Sequence, residues 1–199
     1  MNNHYAHEGP TTLSLNYADR HKQKRLVKRR YKAIIIVTIL LFSHLYEAWA
    51  QNAYAVHANI IYHFTKYINW PDDRKTGEFV IGVVGDTPLY DELKNFTSKR
   101  SAAGQPIVVK RFSTNASLYN CHILFVADES SSNIKRIAAT TANTPTLLVT
   151  ESEGLSRKGA CINFVLVDDR LKLEINKTNI ESRSLDIASE LLSLGIIVK

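Results

Sequence analysis

The chain has 199 residues, a length for one domain plus at most a processed segment. A formal net charge of +6 and a pI near 9.3 would ordinarily invite a nucleic-acid partner. The distribution of charge excludes that reading, because eight of the 25 basic and three of the 19 acidic residues fall within residues 1–50 and leave 17 against 16 in the rest.

Those first fifty residues have the three parts of an export leader. Lys22 to Lys32 is a positive stretch, Ala33 to Phe42 (AIIIVTILLF) an apolar run of ten, and Ser43 to Ala50 ends in the small-x-small pattern Ala48-Trp49-Ala50. The pattern places cleavage after Ala50 and the mature domain at 51–199, in the periplasm. The apolar run is about half the ~20 residues of a stable transmembrane helix, and His44 and Glu47 keep the next segment from extending it. No membrane insertion is expected after cleavage. The alternative is an uncleaved anchor that holds the domain at the inner membrane, facing the periplasm.

Behind the leader, 51–69 reads as a helix, with Val56, Ile60, Phe64 and Tyr67 on one face at 3.6-residue periodicity. Asn69-Trp70-Pro71 ends it, since the residue before proline leaves the helical region. Phe79 to Val84 (FVIGVV) is an unbroken apolar run, as expected of a strand buried on both faces. Pro88 to Ser98 follows as a helix, with Asp86 or Thr87 as its cap and Pro88 in its first turn. Strands are expected at Pro106 to Phe112, Cys121 to Val126 and Pro145 to Thr150, with a helix over Asn133 to Thr141. Cys161 to Val167 and Arg170 to Ile175 then alternate around Asp168-Asp169, which predicts an antiparallel hairpin on the sheet edge. Ser184 to Ile197 reads as a closing amphipathic helix. The fold class that results is α/β, a three-layer mixed sheet of about six strands, mostly parallel with an antiparallel C-terminal hairpin, flanked by helices.

Candidate chemistry is sparse. Gly82 and Gly85 stand where α/β proteins bind phosphates, but a dinucleotide fingerprint needs a third glycine; the two fit better as relief of crowding and a turn. Ser156 sits in a segment that approaches a nucleophile elbow, yet that motif belongs between a strand and a helix, whereas this segment leads into a strand. His57 and His63 are six apart on a helix and do not share a face, so no metal pair is formed, and His122 reads as a core or edge histidine. Basic pairs such as Lys110-Arg111 are scattered along the chain. No catalytic, cofactor-binding or metal-binding set is legible, and no cofactor is expected. Cys121 and Cys161 could pair as a disulfide in an oxidising compartment or stay as buried thiols. The candidate partner surface is Tyr67, Trp70 and Pro71, because aromatics are favoured at interfaces; the competing reading puts these aromatics in the core.

Several segments, taken in order, resemble a known family. They are Phe64-Thr65-Lys66-Tyr67-Ile68-Asn69-Trp70-Pro71, Phe79 to Asp86, Gly104-Gln105-Pro106-Ile107-Val108-Val109, Cys121 to Val126, Gly159 to Leu166 with Leu173-Glu174-Ile175-Asn176, and the closing Leu185 to Leu194. The ordered set resembles the YfiR family of periplasmic proteins, much of it classed as a domain of unknown function. The resemblance implies a non-enzymatic regulator that binds the periplasmic sensor region of a membrane signalling protein, a diguanylate cyclase or a histidine kinase, and restrains it; cyclic di-GMP signalling would then be the affected output. It also implies a homodimer and at best one bridge, Cys121–Cys161. The alternative function is a periplasmic small-molecule binder using the strand ends near Gly85 and Asp86. A hydrolase relying on Ser156 is the remote one.

Overall fold

The computed structural model describes residues 53–199. The expected leader, its cleavage point and the start of the first helix lie outside the described residues.

The first helix, α1, covers residues 53–67. Its buried stripe is His57, Ala58, Ile61 and Phe64, continuing to Ile68, while Val56 is exposed and Ile60 and Tyr67 are half-buried. The expected face is therefore turned by about one residue. The cause is His57, polar by type but stacked flat on Phe164 with ring centroids 4.3 Å apart. Ile68–Asn69 (β1) leaves the helix end and pairs antiparallel with Asp186–Ile187 (β9).

The main sheet begins with Phe79–Val84 (β2), buried at all six positions. Helix α2 (Leu89–Thr97) turns Leu89, Leu93 and Thr97 inward, and Thr87 Oγ1 accepts the Leu89 N–H. Ser101–Ala102 (β3) and Gln105–Phe112 (β4) follow, then Ile123–Val126 (β5), helix α3 (Ile134–Thr140) and Leu147–Thr150 (β6). Ile162–Val167 (β7) and Arg170–Ile175 (β8) form the expected hairpin. Asp168 and Asp169 both take positive φ, 49° and 56°, the backbone of the primed turns whose twist matches the strands they join. Lys177–Glu181 (α4), Ser189–Leu194 (α5) and Ile196–Ile197 (β10) close the chain.

The strand order is β10-β8-β7-β6-β5-β2-β4-β3. β4, β2, β5, β6 and β7 are mutually parallel, β8 is antiparallel to β7, and β10 is parallel to β8. The mixed α/β class is as expected, with eight strands in place of about six. The two added strands are two-residue edges that carry no period-2 signal of their own. The layers are less regular than a full three-layer arrangement, because the connections 113–122 and 151–161 contain no α-helix. The hairpin is not the sheet edge either, since β10 adds outside β8.

The closing helix over Ser184 to Ile197 is broken in the structure. Ser184 takes φ +56°, Asp186–Ile187 is extended, and α5 keeps only six residues. Gly195 ends α5 and lies so close to Ile175 and the Leu173 carbonyl that a Cβ would collide there. Glycine alone lets Ile196 and Ile197 dock as a strand. Pairing with β8 outweighs the helical periodicity of the leucines.

Candidate functional site

In an open α/β sheet the ligand crevice lies at the carboxyl ends of the strands where the order reverses. Here that is between β2 and β5, since the chain passes from β2 outward to β4 and returns to the other side of β2. The turn Gly85-Asp86 stands at this end. Gly85 has φ +100°, and a Cβ would lie 2.9 Å from both Ala127 Cβ and Ser130 Oγ. The Asp86 N–H donates to Glu129 Oε1, so the donor that would meet a phosphate already holds the chain's own carboxylate. Arg111 reaches Asp86 at 3.4 Å and lies over the Tyr90 ring at 4.1 Å, while Lys110 pairs with Glu78 at 3.2 Å. These basic groups are engaged locally.

Ser156 is buried and donates to Glu174 Oε2 at 2.8 Å. Asn163 Nδ2 donates to the same oxygen at 3.1 Å, and Thr150 Oγ1 donates to Asn163 Oδ1 at 2.7 Å. Asn176 caps α4 by accepting the Asn179 N–H, and Asn179 Nδ2 donates to the carbonyls of Ser156 and Ala160. The serine is thus one node of a buried network that ties β6, β7, β8 and α4 together, and such a network specifies a single packing when satisfied.

Cys121 and Cys161 are free and buried. They precede β5 and β7 with β6 between them, and two spacings of about 4.8 Å exceed the ~7 Å reach of a disulfide between Cα atoms. Burial pushes the Cys121 thiol up to about 12 and raises Cys161 as well, which holds both in the unreactive thiol form.

The structure brings Tyr67 and Trp70 to one cavity of about 410 Å³. Trp70 is 5% exposed, packs edge-on against Phe79 at 5.0 Å and donates from Nε1 to the His122 carbonyl. Tyr67 and Pro71 are half-buried beside it. His122 accepts the Val80 N–H at Nδ1 and contacts the Arg74 carbonyl through Nε2 at 2.9 Å. An acceptor at Nδ1 requires the neutral ring with its proton on Nε2, and burial lowers the pKa, opposed by the bond to the Arg74 carbonyl, which favours the charged form.

A second cluster was not among the sequence candidates. Glu151, directly after β6, accepts the Asp128 N–H at 3.2 Å and the Tyr54 hydroxyl at 3.5 Å, both on Oε1. Its Oε2 lies 3.7 Å from His57 Nδ1. Burial raises the Glu151 and Tyr54 pKa values and lowers His57 to about 4, so at neutral pH the imidazole beside Glu151 is neutral. Only the position of Glu151 at the end of an apolar strand run could have drawn attention to it.

Several aliphatic side chains are exposed around the hairpin and the end of the chain. Val56 and Leu166 (73% exposed) border the cavity beside Glu151, and Leu194 (68%) borders another formed by α1, β8 and α5. Leu171 lines both. Val167, Ile196 and Ile197 are exposed along the hairpin and β10. Among the described residues no group of three or more acidic, histidine or cysteine residues is placed to hold a metal, and no helix is long and apolar enough to cross a membrane.

Residues 54–196 match a protein family described as YfiR/HmsC-like. No curated protein matches the chain.

Proposed function

Since the chain belongs to the YfiR/HmsC-like family, we propose that it is a non-enzymatic periplasmic regulator that binds the outward-facing sensor region of a membrane signalling protein and restrains it. The family match over residues 54–196 carries this reading. The partner is a membrane-bound sensor of the diguanylate cyclase or histidine kinase kind, and the regulator acts as a homodimer. The reading draws further support from the self-filled crevice at Gly85-Asp86 and from the engagement of Ser156 in a structural network.

The contact surface is the apolar rim of Val56, Leu166 and Leu194, which border two cavities that share Leu171. Contiguous exposed apolar surface of this kind marks interaction sites on folded proteins. Trp70 is deep in the core, and Tyr67, half-buried, lines the cavity that Leu194 borders and so forms the margin of the surface.

Crosslinking in intact cells followed by purification tests the proposal. The expected product joins this chain to a membrane sensor, and the Leu166→Asp variant lowers its yield at least about ten-fold, as loss of a buried apolar contact at an interface centre does. Recovery of the protein alone, or an unchanged yield with Leu166→Asp, would overturn the proposal or its surface.

A further inference from the structure

A cavity of about 500 Å³ opens beside Glu151, between the start of α1 and the β7–β8 hairpin. Its apolar lining includes Val56, Phe164, Leu166 and Leu171, and its ionisable lining among the described residues is His57, Glu151, Glu153 and Asp169, without a lysine or arginine. The Glu151 side chain is 9% exposed. Both of its hydrogen bonds end on Oε1, and at 3.7 Å the His57 contact to Oε2 is too long to be a third. His57 is itself 9% exposed, and its Nδ1 has no hydrogen-bond partner among the described residues. Among the described residues, a largely buried carboxylate with no cation beside it and a buried ring nitrogen without a partner are both unfavourable, and here they occur together on the wall of one cavity.

We infer that this cavity binds a small organic amine, with its ammonium group on Glu151 Oε2 and an apolar body against Phe164, Leu166 and Leu171. An ammonium supplies the missing countercharge through a charge-assisted hydrogen bond. The volume is within the range of small-ligand pockets, which pair an apolar lining with a few placed polar groups. The place is also apt, because ligands of α/β sheets sit at the carboxyl ends of parallel strands. A free amine fits better than a lysine from a protein partner. The carboxylate lies buried, whereas a macromolecule would meet the exposed Glu153 and Asp169 first. The inference does not depend on the regulatory reading, and either can fail while the other stands.

Titration calorimetry on the purified full-length protein near neutral pH, with phenethylamine, 2-phenylethanol and 3-phenylpropionate, tests it. Phenethylamine is expected to bind one to one, with the alcohol and the acid at least about ten-fold weaker. Glu151→Gln is expected to weaken phenethylamine about ten-fold or more, and Leu166→Asn about three-fold through lost apolar contact. Leu166 is highly exposed, so its variant keeps the test open if Glu151→Gln fails to fold. Absence of binding in the millimolar range, equal binding of the alcohol, or an equal loss with Glu153→Gln would overturn the assignment. Tighter binding of a lysine-containing tripeptide than of phenethylamine would overturn it in favour of a partner's side chain.

Discussion

Glu129 and Glu151 follow neighbouring parallel strands, β5 and β6, and their carboxylates meet opposite fates. Glu129 is exposed and turns back onto the Asp86 N–H, which fills the crevice at the reversal of strand order. Glu151 is drawn inward beside His57 and Tyr54, has no cation among the described residues, and faces a cavity. Both lie at the carboxyl ends of parallel strands, but only the Glu129 end stands where the strand order reverses. What also distinguishes them is whether the chain supplies its own occupant.

The comparison breaks most severely at Gly85. Valine there meets a backbone at φ +100° and a Cβ contact of 2.9 Å with Ala127, and strain together with overpacking should lower stability by about 3–5 kcal/mol. Urea unfolding at neutral pH measures this, and a loss below about 1 kcal/mol would mean the filled end is pliable.

Acid acts on the other end. His57 has a folded-state pKa of about 4 against 6.5 for the free side chain, so the unfolded chain takes up its proton first. Stability from this group is complete above pH 6.5 and is lost as pH falls from 6.5 to about 4, a loss of about 2–3 kcal/mol. Glu151 works in the opposite sense: its raised pKa lets the folded state protonate first, which favours folding as pH falls through its range. The variant His57→Phe preserves the stack on Phe164 and removes the titration. Its stability relative to the unaltered protein should therefore rise by about 2–3 kcal/mol between pH 7 and pH 4, and parallel profiles would contradict the assignment.

The smallest effect is expected at Glu129→Ala. An exposed hydrogen bond to Asp86 N–H is lost and water can replace it, so stability should fall by about 1 kcal/mol or less. Thermal melting would resolve that, and a loss of 3 kcal/mol would show that the carboxylate supports the turn far more than its exposure suggests.

Local pattern made much of the fold legible. The unbroken apolar run of β2 announced a strand buried on both faces, the segments of β5 and β6 announced strands, and Asp168-Asp169 announced the turn of the hairpin. The end of the chain was not legible in this way, because Leu185 to Leu194 has helical periodicity and only contact with β8 makes 196–197 a strand. The stripe of α1 was misplaced because His57 reads as polar, and its burial depends on a phenylalanine 107 positions later. The Glu151 cluster is not legible in the sequence for a similar reason. Tyr54, His57, Asp128 and Glu151 are spread over the chain, and each is ordinary until the sheet brings them together.

By itself the sequence determined the α/β class, most strand and helix positions and the family. These follow from hydrophobic period, turn chemistry and ordered motifs, which act over a few residues. Tertiary structure decided the eight-strand sheet, the strand-like end of the chain, the separation of Cys121 from Cys161, and the contrast between a filled and an open strand end. Each of these depends on distances across the sheet, and a buried charge acquires its cost only when distant segments exclude water around it.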